Sequence, residues 1–266
     1  MASVSARILK VRQPYGGYVS PSSFHTIDMD DGLKLKRENI NTHLISQTVI
    51  SLARFMTGTP VEAAFTDSIQ GYKAMKKHLG LIKKVGETVS GNKAKKLLEK
   101  VKSLDESSIL AACEACSYNV WHQNPGFAKK NAKAKYVAPN ADTIKNIKIM
   151  VMRTIMFVRH YGPIKATKAN FKPYGYTATV SSGECDFLTS DTLWTLKMFR
   201  ENLNEDLTLE AVMYYIMGRH SGKAEYKTIK KLGIFNPRLN RVYILEIDRV
   251  AKDTLKLISK EVIGYH

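Results

Sequence analysis

The chain has 266 residues, 44% of them hydrophobic, which suits a packed core in one elaborated α/β domain or two small domains and excludes global disorder. Lys plus Arg number 41 against 24 Asp plus Glu, a formal net charge of +17, so the expected partner is anionic: nucleic acid first, then an anionic membrane surface or an acidic protein. Three cysteines (Cys113, Cys116, Cys185) argue against a disulfide framework and for a reducing, cytoplasmic setting; no apolar stretch is long enough to span a bilayer, and Met1 to Lys10 lacks a signal-peptide core.

Ser5 to Val11 alternates and predicts a strand, followed by a turn at Gln13 to Tyr18. Asn41 to Met56 carries helical spacing at Leu44, Ile45, Val49, Leu52, Ala53 and Met56. The next helix is predicted with Thr59 as N-cap, Pro60 at the first position and Glu62 closing a capping box. Gly80 to Leu104 is Lys-rich and weakly amphipathic, a solvent-facing or mobile helical pair. Ser107 or Ser108 caps a helix to about Tyr118, and Asn124 to Asn140 reads as a flexible basic loop. Asp142 caps a long helix to Tyr161, closed by Gly162-Pro163.

Beyond that helix the period changes. Strands are predicted over Tyr174 to Val180, Cys185 to Leu188, Leu193 to Phe199, Leu232 to Phe235 and Val242 to Ile247. Helices are predicted over Leu207 to Met217 and Asp248 to Val262. The order gives a mixed α/β fold with a mixed sheet flanked by helices. A mainly helical, basic elaboration over 1–140 precedes a core over 141–266.

Charge is unevenly placed. From Lys73 to Lys102 the only acids are Glu87 and Glu99, and from Lys129 to Lys172 the only acid is Asp142. Such blocks suit a surface that tracks a phosphate backbone, and a Lys-rich one suits diffuse phosphate contact over base reading. The expected nucleic-acid contacts are Lys129, Lys130, Lys133, Lys135, Lys165, Lys168, Lys172 and Arg200.

The chemistry-bearing run is Gly183-Glu184-Cys185-Asp186-Phe187-Leu188, a turn, then Leu193-Trp194-Thr195-Leu196-Lys197, then a helix with Glu210 and Tyr214. Two residues apart on a strand means one face, so Thr195 and Lys197 share a side, as do Glu184 and Asp186.

This run resembles the signature of PD-(D/E)XK nucleases of the RecB and lambda-exonuclease kind, over roughly Asp142 to Val262. That family places a Gly-x-x-Asp strand, an (Asp/Glu)-x-Lys strand and a helix with Gln-x-x-x-Tyr around Mg²⁺, which polarises phosphate and lowers the pKa of a water. The resemblance implies a nuclease-like fold, with Asp186 at the first carboxylate, Lys197 at the lysine and Tyr214 at the helix tyrosine. Relatives act in phage biology, defence and DNA repair. Three positions depart from the pattern. Thr195 replaces the second carboxylate, Glu210 replaces the helix Gln, and the preceding helix has no interior acid, only Met150, Met152 and Met156.

Two readings of the site follow. In one, the site is degenerate, holds no metal, and the fold survives as a DNA-binding module. In the other, the carboxylates have migrated, and Asp186 with Glu210 binds Mg²⁺ beside Glu184 and Lys197 in an active deoxyribonuclease. The first is the favoured expectation. A non-enzymatic role on a protein partner, as an inhibitor or complex subunit, stands apart from both. The cysteines and Met150, Met152 and Met156 are expected in the core. Tyr174, Tyr176 and Trp194 either pack on the sheet or stack on bases.

Overall fold

The structure, a computed structural model, describes residues 2–80, 92–133 and 135–265. The chain opens with β1 (Ala2–Ser3) and α1 (Val4–Ile8). Ser3 caps α1 by accepting the Ala6 N–H at 3.2 Å. The expected strand over 5–11 is instead the end of a helix as far as Ile8 and then a turn: Val4 and Ile8, four residues apart, are the buried pair, which is helical spacing. A short strand, β2 (His25–Asp28), follows; it carries no clear alternation and the sequence did not mark it.

Residues 32–156 form one compact unit, and residues 1–31 with 157–266 form the other. The helical part is thus an insertion between β2 and the rest of the sheet, where the sequence pattern suggests an N-terminal block ending at 140. Its elements are α2 (Thr42–Met56), α3 (Val61–Ala64), α4 (Thr66–His78), α5 (Lys93–Leu98), α6 (Glu106–Cys116), α7 (Asn119–Gln123) and α8 (Pro125–Lys130). Helix α9 (Ala141–Tyr161) begins in this unit, and the division falls after Met156.

Several predicted starts are corrected. Pro60, not Thr59, is the N-cap of α3, and no side chain caps it. Asp105 caps α6, accepting the Ser108 N–H at 2.8 Å, because its carboxylate outcompetes the serine hydroxyls placed just after it. Asn140, not Asp142, accepts the Thr143 N–H at 2.9 Å at the start of α9. The basic loop contains α8, capped by Asn124. Of the Lys-rich 80–104 stretch, residues 81–91 lie outside the described residues; α5 is no solvent-facing helix, since Ala94, Leu97 and Leu98 are buried. Cys113, Cys116 and Cys185 are buried free thiols, as expected.

In the other unit, β3 (Ala166–Asn170), β5 (Glu184–Leu188), β6 (Thr192–Leu196), β7 (Lys231–Asn236) and β8 (Arg241–Glu246) join β2 in a six-stranded mixed sheet, order β2-β8-β7-β6-β5-β3. Only β6 and β7 run parallel; the other neighbours are antiparallel. A separate pair is made by β1 and β4 (Val180–Ser182). The predicted strand over 174–180 is a loop up to Val180. Pro173 lacks an N–H, Thr177 turns its hydroxyl onto the Thr179 and Val180 N–H groups, and Tyr176 donates its hydroxyl to the Gly183 carbonyl.

Helix α10 (Glu205–His220) covers one face of the sheet, burying Leu209, Val212, Met213, Ile216 and Met217 with Leu193, Leu232 and Ile234. The other face packs Phe187, Trp194, Phe235 and Val242 around Phe157. Phe157 stacks on Phe235 at 4.1 Å and meets Trp194 edge-on at 4.9 Å. Trp194 is thus a core residue, while Tyr174 is exposed. The closing helix divides into a 3-10 turn (Ile247–Arg249), α11 (Lys252–Leu257) and a π-helical turn (Ile258–Ile263), ending at Gly264 with φ +85°. Among the described residues, no helix is long and apolar enough to cross a membrane.

Candidate functional site

The motif residues gather where β5 and β6 meet α10. The β5–β6 register pairs Phe187 with Trp194 and Leu188 with Leu193. Leu193 packs on the α10 side and Trp194 on the other, so alternation puts Thr195 and Lys197 on the α10 side. Strand β6 stops at Leu196 rather than running to Phe199. The Asp186 carboxylate accepts the Leu196 N–H at 2.7 Å in place of a ladder partner, and the Lys197 N–H turns to the Phe235 carbonyl at 3.0 Å.

Glu210 projects from α10 into this corner and is 4% exposed. Its carboxylate forms an ion pair with Lys197 and accepts hydrogen bonds from Tyr214 at 3.2 Å and Ser5 at 3.1 Å. Tyr214 follows Glu210 by four residues, which places both on one face of the helix. Thr195 is buried at 2% exposure beside this cluster. Glu184, at the start of β5, is exposed.

Burial pushes the Asp186 carboxyl up to about 6, against the lowering pull of the Leu196 N–H and the Lys197 charge; Glu210 and Glu184 push it further up. Burial, then the charges of Glu210 and Asp186, hold the Tyr214 hydroxyl well above the ordinary tyrosine value. That favours the protonated hydroxyl, the form that donates to Glu210.

The sequence missed Ser5, which is 205 residues from Glu210 in the chain and sits in a segment misread as a strand. No local signal points to it. The motif glycine also acquires a packing role. Gly183 has φ +156°, and a Cβ there would lie 2.8 Å from the Val4 side chain, so α1 packs directly on the start of β5. Arg7 fixes α1 further by donating to the Val262 and Glu261 carbonyls at 2.8 and 2.9 Å.

The donor set does not make up a Mg²⁺ site as it stands. Mg²⁺ needs free, hard oxygens in near-octahedral array. Both Glu210 oxygens are taken by protein donors, one Asp186 oxygen is taken by a backbone N–H, and Thr195 brings no charge. Among the described residues no group of three or more His, Cys, Asp or Glu is placed to hold a metal.

The expected nucleic-acid contacts fall into two sets. Lys129, Lys130, Lys133 and Lys135 are exposed on and after α8, and Lys165 and Lys172 are exposed at the ends of β3. None of these six forms an ion pair with a described residue. Lys168, half-buried in edge strand β3 with φ +46°, and exposed Arg200 both have partners within the fold.

Fold and site together define a mixed α/β protein with a helical insertion and a partly buried Lys-Glu-Tyr-Asp cluster under the helix that covers its sheet. No family model, curated protein or solved structure matches this chain.

Proposed function

We propose that this is a nucleic-acid-binding protein of the cell interior, with DNA the favoured ligand, whose nuclease-like corner serves structure rather than hydrolysis. The observation that carries the binding half is the distribution of charge. Residues 32–156 hold 21 Lys and Arg against 9 Asp and Glu, a net of +12, while the sheet unit holds 20 against 15, a net of +5. A positive surface of this density releases counterions from a phosphate backbone, which supplies sequence-independent affinity.

The non-hydrolytic half rests on the engagement of Glu210. A carboxylate already bound by an ammonium and two hydroxyls has little to offer a metal, and Lys197, neutralised by it, has less to offer a phosphate. One observation favours the alternative of a Mg²⁺-dependent nuclease: Glu210 and Asp186 do approach the same corner, from the helix and from the sheet. That reading requires Glu210 to exchange Lys197, Ser5 and Tyr214 for a metal.

The binding half is tested by titrating labelled duplex DNA, single-stranded DNA and RNA across a range of salt. Affinity that falls steeply with salt, strongest for duplex DNA, is the expected result. Retained affinity at high salt, or no binding at low salt, contradicts it.

A further inference from the structure

Of the three methionines expected in the core, Met150, Met152 and Met156, only Met150 is there, fully buried. Met152 is 47% exposed and Met156 53% exposed, one turn apart on the outer face of α9. Lys145 and Lys148 are exposed on the same face. At 100° per residue the four side chains span about 80° of the helix circumference and about 16 Å of its length. They therefore form one stripe, cationic at its N-terminal end and apolar at Met152 and Met156, with exposed Arg159 following one turn beyond.

The surroundings sharpen this pattern. Leu33, 52% exposed, is tied to the same helix, its carbonyl accepting a hydrogen bond from the Arg153 guanidinium at 2.8 Å. The nearest acid on α9, Asp142, is neutralised by Lys36 at 2.8 Å, whereas Lys145 and Lys148 form no ion pair with a described residue.

We infer that the Lys145-Lys148-Met152-Met156 face of α9 docks an acidic amphipathic helix of a protein partner. Methionine adapts its shape to an apolar partner, and solvent-facing thioethers recur at helix-binding surfaces. The two lysines call for acids one to two turns away from the partner's apolar residues, which is the spacing a helix supplies. Nucleic acid fits this stripe less well, because thioethers offer neither charge for phosphate nor an aromatic plane for bases. The lysines assigned to nucleic acid, Lys129 to Lys135, lie outside the stripe.

The test uses the full chain and a fluorescein-labelled helical peptide of about 18 residues with two leucines one turn apart, flanked by glutamates. A scrambled peptide of the same composition and a labelled DNA duplex run beside it. The patterned peptide is expected to bind roughly ten-fold tighter than the scrambled one. Met152→Gln with Met156→Gln, and separately Lys145→Glu with Lys148→Glu, are expected to remove that preference. These positions are exposed, so unfolding temperatures should stay within a few degrees of wild type. Equal binding of the two peptides overturns the proposal. So does a methionine pair whose replacement weakens DNA binding and leaves peptide binding unchanged, which assigns the stripe to nucleic acid.

Discussion

Lys197 and Glu210 form an ion pair that joins the end of β6 to the middle of α10, with Glu210 almost wholly buried and Lys197 28% exposed. This pairing fixes the corner, because it sets the Lys197 ammonium directly against the buried Glu210 carboxylate.

Breaking the pair from one side leaves a buried charge. Lys197→Met should destabilise the protein by about 2–4 kcal/mol, the usual loss for an orphaned buried ion discounted for the partial exposure of Lys197. Lys197→Met with Glu210→Gln should recover much of that loss, since no bare charge then remains under α10. Urea unfolding of the four proteins in a double-mutant cycle measures the coupling; strict additivity would mean the pair is not formed.

Asp186 makes a pH-dependent contribution of the opposite kind to a salt-bridged carboxylate. Its folded-state pKa is raised to about 6 from 3.8, so between those values the folded protein binds more protons than the unfolded chain. Stability from this group is full below the lower value and is lost as pH rises through the upper one. Asp186→Asn, which can still accept the Leu196 N–H, should therefore stabilise the protein by about 1–3 kcal/mol at pH 7. The gain should shrink towards zero near pH 4. Thermal unfolding at both pH values checks it; a constant difference would show that the carboxyl is not perturbed.

The aromatic face tolerates no added volume at Gly233. A Cβ there would lie 2.1 Å from the Trp194 ring, which is itself hemmed in by Phe157 and Phe187. Gly233→Ala should lower stability by about 1–3 kcal/mol through overpacking, seen as a lower urea midpoint with an unchanged slope.

The basic insertion makes a prediction about salt. Replacing Lys129, Lys130, Lys133 and Lys135 together by glutamine should flatten the dependence of log K on log salt by about 0.9 for each duplex phosphate that these lysines neutralise. Fluorescence anisotropy across salt reads the slope. An unchanged slope would move the binding surface away from α8.

The strands of the candidate site were legible in the sequence because β5 to β8 combine apolar runs with turn residues, and the helix bearing Glu210 is a long apolar run with acids in its first turn and cations in its last. What stayed hidden was tertiary. Ser5 reaches Glu210 only because α1 folds back onto Gly183, and a five-residue helix leaves almost the same alternation as a strand. Edge strands β2 and β3 were unmarked because both are short and rich in polar side chains, with Ile27 the only large apolar residue between them. The meeting of Glu210 with Lys197 was open as one of two readings. The spacing placed Glu210 on the right helix, but only packing shows its carboxylate already occupied.

The most direct measurement incubates wild type, Lys197→Ala and Glu210→Gln with linear, circular, single-stranded and duplex DNA and with RNA, in Mg²⁺ or Mn²⁺, scoring binding and cleavage in the same tubes. Salt-sensitive binding with duplex DNA preferred, and no metal-dependent cleavage by any of the three proteins, is the expected result. Cleavage by wild type that both substitutions abolish would contradict it and make Glu210 and Lys197 working parts of an active nuclease.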